Sequence, residues 1–193
     1  MNVIEIKAEA RRLMSEQMGT LIITFVIYDL IFYITGSLFA IGAILVYGPL
    51  SYGAANILLK VLNSEKVEIS MLFSGFDDFA DTLSAGLLIM LYVFLWSLLF
   101  IIPGIIAAFS YSMTFYIMRE NPEMSPSQAM AASKHMMYGH KWQLFDLYFS
   151  FLGWILLCII SFGIASIYVT PYMSVSTAVF YADLKQNYTY PIF

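Results

Sequence analysis

Charge is what this chain has least of. Only 11% of its 193 residues are Asp, Glu, Lys or Arg, against about 25% in soluble domains. Such a chain cannot build a polar shell, and 61% of it is hydrophobic. The composition excludes a soluble domain and points to an all-α membrane protein that crosses the bilayer several times. Cysteine is also scarce. The single Cys158 lies in an apolar run, so no disulfide framework forms. There is no G-x-S-x-G, Walker A or dinucleotide-binding pattern and no pair of cysteines. The sequence therefore predicts no enzyme, no cofactor and no metal, and it gives no reason to expect nucleic acid as a partner. A charged lead (Glu5, Lys7, Glu9, Arg11, Arg12, Glu16) with no small-residue cleavage pattern after it predicts that the N-terminus is not a cleaved signal.

What is present is long stretches without charge. Residues 17–59 hold only Asp29, residues 82–118 hold none, and residues 142–182 hold only Asp146. As single helices each would be about 55–65 Å long, roughly twice the ~30 Å hydrocarbon core, so each must fold back. Thr35-Gly36-Ser37, Pro103-Gly104 and Ser161-Phe162-Gly163 supply the breaks. The result is one polytopic domain, 1–193, of six transmembrane helices in three hairpins, with spans near 18–35, 37–60, 83–102, 104–119, 142–161 and 164–182. A re-entrant second hairpin is the alternative. All nine basic residues then fall on one side, which places both termini in the cytoplasm by the positive-inside rule.

Each hairpin follows an amphipathic lead, over 1–17, 65–82 and 123–141. Val3, Ile6, Ala10, Leu13, Met14 and Gln17 recur at helical spacing in the first, and Leu72, Phe76, Phe79 and Leu83 in the second. In the third, Ser125, Pro126 and Gln128 spell a helix start, and Ala129, Met130, Ala132, Ser133, Met136 and Met137 share a face. This segment reads as a helix lying apolar face down in the cytoplasmic interface. Each returning helix carries a proline, then small residues, then a basic residue, which suggests a pseudo-threefold repeat of about 60 residues.

Few residues are candidates for chemistry. His135 and His140 are five apart, about 140° around a helix, which does not suit a metal pair. Asp29 lies some ten residues into the first span, where a charge is expensive. Structural hydrogen bonding, a proton or ion pathway, and contact with a partner protein are all open readings of it. Asp146 sits one turn into the fifth span and Asn56 lies in the second. Pro49, Pro103 and Pro171 are expected to kink their helices. Pro49 and Pro171 would free the carbonyls of Leu45 and Ile167. Asp77, Asp78 and Asp81 form a solvated acidic edge on the second lead.

Several ordered stretches carry a resemblance: Ile102-Pro103-Gly104, Tyr111-Ser112-Met113, Ser133-Lys134 with Gly139 and Lys141, Phe145, Gly153-Trp154, Pro171-Tyr172 and Phe180-Tyr181. Together they resemble a family of bacterial, mostly Gram-positive, multi-pass membrane proteins known as a domain of unknown function. More distantly they are similar to the membrane domain of some glycerophosphodiester phosphodiesterases, whose hydrolase domain has no counterpart in this sequence. The resemblance implies a bacterial cytoplasmic membrane and six spans. It implies no catalytic residues. Two functions fit the sequence. One is handling or sensing a lipid-soluble or exported molecule, as a small transporter, export accessory, or homeostasis or immunity factor. The other is a structural module whose cytoplasmic leads dock a protein partner or cluster membrane lipids. The oligomeric state is not legible in the sequence.

Overall fold

A computed structural model describes residues 1–38, 40–186 and 188. Position 39, which falls in the second expected span, and positions 187 and 189–193, in the expected tail after Lys185, lie outside the described residues. Every regular element among the described residues is helical: α1 (Val3–Glu16), α2 (Met18–Leu38), α3 (Ala40–Leu62), a 3-10 segment (Ile69–Phe76), α4 (Phe79–Leu99), α5 (Ile101–Tyr111), α6 (Thr114–Glu120), α7 (Pro126–Met136), α8 (Lys141–Phe149), α9 (Leu152–Ile160) and α10 (Ser166–Gln186).

Among the described residues five helical stretches are long and apolar enough to cross a membrane: Met18–Gly36, Gly42–Leu62, Phe79–Leu99, Ile101–Glu120 and Lys141–Ile160. The stretch expected as a sixth span, α10, is 21 residues long but is not among them. The reason is packing. Helix α10 lies against α1, α2, α3, α8 and α9, and most of its residues from Val169 to Leu184 are buried. A helix shielded by protein can carry Thr170, Ser174, Ser176 and Thr177 without meeting lipid. Helix α9 shows the opposite case. It is apolar all round and has no buried residue, the surface expected of a helix facing hydrocarbon.

The turn between α9 and α10 forms where Ser161-Phe162-Gly163 predicts it. Phe162 and Gly163 have φ of 50° and 88°, and the Gly163 amide bonds back to the Cys158 carbonyl at 2.8 Å, a Schellman closure. The Ser161 hydroxyl then accepts the Ala165 amide at 3.0 Å. Pro103 acts differently from the expected kink. It lies in the first turn of α5, where its missing N–H is one the helix would leave unpaired anyway, so it starts the helix. Pro49 and Pro171 do sit inside α3 and α10.

The leads depart most from expectation. The expected capping box of Ser125 with Gln128 forms, and Asn2 with Glu5 makes a second that the sequence reading did not name. However, the second lead is a 3-10 segment rather than an α-helix. The apolar faces are not spent on lipid. Ile6, Ala10, Leu13 and Met14 are buried in a helix that packs on α10, and Ala129, Met130, Ala132, Ser133 and Met136 are buried in one that packs on α4, α5 and α6. The 3-10 segment packs on α3 through glycines. A Cβ on Gly53 would strike the Leu72 carbonyl, and one on Gly75 would strike that of Pro49. Small residues here let two backbones touch.

Polar contacts gather many chain positions at one end of the bundle. The N-terminal ammonium bonds Asp183 at 2.7 Å, Lys185 bonds Glu120 at 2.7 Å, and Lys60 bonds Glu65 at 2.7 Å. Gln17 accepts the Val67 amide at 2.8 Å. At the other end two turns are apolar, with Leu98 to Ile102 and Phe162 exposed.

Candidate functional site

Two of the expected spans are interrupted, and each interruption is held by a lead. The fourth breaks between α5 and α6 at Ser112-Met113. There the buried Ser133 of α7 donates to the Ser110 carbonyl at 2.8 Å and accepts the Met113 amide at 3.2 Å. The fifth breaks between α8 and α9 at Ser150-Phe151. Lys7 of α1 donates to the Ser150 carbonyl at 3.1 Å and its hydroxyl at 3.2 Å. The same ammonium sits 4.1 Å above the Phe151 ring, a cation–π contact. Burial, with Arg11 adding to it, pulls the Lys7 ammonium below the ordinary lysine range. Neither break has a proline or glycine to announce it.

A cavity of about 310 Å³ lies between α2, α3, α6, α8 and α10, with Ser112 of the first break on its wall. Tyr28, Tyr47, Tyr116 and Tyr148 project into it, with Ser51, Ser112, Thr170, Ser174 and Thr177, and no charged side chain lines it. The Tyr148 and Thr177 hydroxyls are 3.3 Å apart, while Ser112 and Thr177 also donate to the carbonyls of Phe109 and Met173 at 2.8 and 2.9 Å. Aromatic edges close the walls, Tyr47 against Phe115 at 6.0 Å among them. Tyr116 stacks on Tyr181 at 5.0 Å, and Tyr181 donates to Glu120 at 2.6 Å. The cavity floor thus leads into the charged end of the bundle.

Asp29 lies outside this cavity. It is exposed on α2 in a groove of about 290 Å³ beside Ser166, Ile167, Thr170 and Pro171 of α10. Phe25 and Thr170 line both the groove and the cavity, so these two side chains form the wall between them. Because Pro171 has no N–H, the Ile167 carbonyl on the groove has no helical donor. Thr24, next to Phe25, is 1% exposed and its hydroxyl has no partner among the described residues.

The other sequence candidates scatter. Asp146 is exposed on α8 and shares no cavity with Asp29. Asn56 is buried, accepting from Arg119 Nε at 2.8 Å and donating to Ser74 at 3.0 Å. Lys134 is exposed beside Met130 and Tyr92. Gly139 has φ of 83°, a left-handed turn that favours glycine, and Lys141 opens α8. His135 lies 5.6 Å from the Tyr188 ring, and His140 bonds Gln143 at 2.8 Å. Among the described residues no three His, Cys, Asp or Glu side chains gather as a metal site. The four cavity tyrosines escaped the sequence reading. For Tyr28 and Tyr47 the signal was depth, since membrane tyrosines concentrate at the interfaces and these two lie well inside residues 17–59; Tyr116, three residues before Arg119, and Tyr148, two after Asp146, carried none.

No curated protein and no solved structure matches the chain. A family profile matches it twice, over residues 1–110 and 98–188, and so takes in every helix described above. With apolar helices of spanning length and a motif serine, Ser133, that turns out to be a structural clamp, the chain belongs to the family described as "Protein of unknown function (DUF975)".

Proposed function

We propose that this protein is a non-enzymatic integral membrane protein of the bacterial cytoplasmic membrane that takes a lipid-soluble molecule into its central cavity. The cavity is the observation that carries the reading. About 310 Å³ of space is within the size of small-ligand sites, roughly 300–1,000 Å³. Its wall of hydroxyls and aromatic rings without charge suits a neutral molecule with a carbonyl or hydroxyl group. The Asp29 groove offers an entry from the bilayer, with Phe25 and Thr170 as the gate. Six crossings are part of the proposal, with α10 as the sixth and both termini cytoplasmic. The gathering of Met1, Lys60, Glu120 and Lys185 at one end supports it.

The test uses a photoactivatable, clickable medium-chain alcohol added to the full chain in nanodiscs. Labelling is expected on peptides covering 25–28, 47–51 and 170–177, and to fall several-fold in Tyr148→Phe/Thr177→Val. Labelling confined to the exposed faces of α4 and α9 overturns the proposal. Asp29→Asn is expected to change how fast the cavity peptides are labelled. An unchanged rate in the folded variant removes Asp29 from the entry route.

A further inference from the structure

The charged end of the bundle contains a second site, separate from the cavity. Arg119, at the end of α6, is half-buried. No carboxylate lies within ion-pair distance of it among the described residues. Its contacts are neutral: Asn56 Oδ1 accepts from its Nε at 2.8 Å, and Tyr52 lies alongside. Asn56 is 6% exposed and is itself fixed by its bond to Ser74 at 3.0 Å. The guanidinium is therefore oriented by a buried amide rather than neutralised by an acid.

Arg119 borders a pocket of about 170 Å³ together with Lys60, Glu65 and Glu120. Both carboxylates are already engaged. Glu65 bonds Lys60 at 2.7 Å, and Glu120 takes Lys185 at 2.7 Å and the Tyr181 hydroxyl at 2.6 Å. Among the described residues Arg119 is thus the cation of this wall with no carboxylate in direct contact, Asp78 lying beyond Tyr52, which itself bonds the guanidinium. A planar guanidinium held through Nε can turn its Nη edge toward an oxyanion, which it binds in a fork. The pocket is several times the ~30 Å³ share of one water molecule, enough for a tetrahedral group. It shares Leu59, Asn63 and Glu120 with a larger groove of about 510 Å³, whose apolar surface includes Leu13, Leu62 and Val179.

We infer that Arg119 forms a binding site for the phosphate group of a small amphiphile, with Asn56 as the residue that positions Arg119 and Lys60 as the partner that holds Glu65. The phosphate binds at Arg119 and the apolar body lies along Leu59, Leu62 and Leu13. Lys60 keeps Glu65 in an ion pair at 2.7 Å and so leaves Arg119 to the phosphate. The same chemistry is offered by a phospholipid of the facing leaflet and by a soluble phosphate ester. The site does not depend on what the central cavity holds.

The test measures thermal stability and affinity of the purified full chain in a zwitterionic detergent. It is titrated with sodium phosphate at constant ionic strength and, separately, with short-chain phosphatidic acid. Stabilisation by both probes assigns the site to the phosphate group itself. Stabilisation by phosphatidic acid alone assigns it to a lipid headgroup. Arg119→Gln is expected to weaken binding at least tenfold, and Lys134→Gln, an exposed lysine outside the pocket, to leave it within twofold. Asn56→Asp guards against misfolding of the arginine variant. It keeps the shape but places a carboxylate on Arg119, so it should also weaken binding at least tenfold without lowering the melting temperature. The inference is overturned if neither probe stabilises the wild type. It is equally overturned if Arg119→Gln lowers the melting temperature but binds as before, which would make Arg119 only a cap for the end of α6.

Discussion

At the scale of single residues, Ser133 of the motif acts as a clamp. Ser133 is 0% exposed and satisfies two backbone groups of a helix it does not belong to. Ser133→Ala leaves the Met113 amide and Ser110 carbonyl unpaired in the interior. An unmade bond of this kind costs about 1–3 kcal/mol per group, so the variant should melt several degrees lower in detergent, read by the loss of a cooperative thermal transition. A melting temperature within one degree of wild type would contradict the clamp. The sequence placed Ser133 on the buried face of its helix, because helical periodicity is local. It could not supply the partner, which lies 23 residues away across a packing interface. Asp29 shows the same limit. That it was out of place in an apolar helix was plain, but whether it faced a cavity, a partner or lipid depended on how α2 turned against α10.

At the scale of elements, the leads buttress broken spans. Three amphipathic stretches were legible from periodicity and capping residues alone, since both are decided within a few residues. Their use was not legible. An apolar face fits a membrane surface and a neighbouring helix equally well, and only the packing of α1 on α10 and α7 on α6 chooses between them. The breaks at Ser112-Met113 and Ser150-Phe151 were invisible because neither proline nor glycine marks them. The close approach of α3 to the 3-10 segment is testable through glycine. Gly53→Ala places a Cβ against the Leu72 backbone, which cannot swing aside as a side-chain end could. Overpacking of this kind costs about 1–3 kcal/mol. Gly19→Ala, with nothing within 4 Å, should stay within about 0.5 kcal/mol of wild type. Equal melting temperatures for the two variants would refute the contact.

At the scale of the whole molecule, the open question is whether α10 is a sixth crossing. In a Cys158→Ser background, single cysteines at Asn2, Asn63, Glu123 and Gln186 should react with an impermeant maleimide only from the cytoplasmic side. Labelling of Gln186→Cys from outside would leave five crossings. The sequence by itself determined the class, because too few charges cannot cover a soluble surface. It also determined the charge-free stretches and the turn at 161–163, because hydropathy and turn chemistry are local. Tertiary structure alone decided that α10 is central, that four tyrosines face one cavity, that Asp29 lies outside it, and that Arg119 has Asn56 rather than a carboxylate at its side. Each of these depends on which helix faces lie against one another. That choice is weakly encoded in an apolar helix, because lipid and protein interior favour nearly the same side chains.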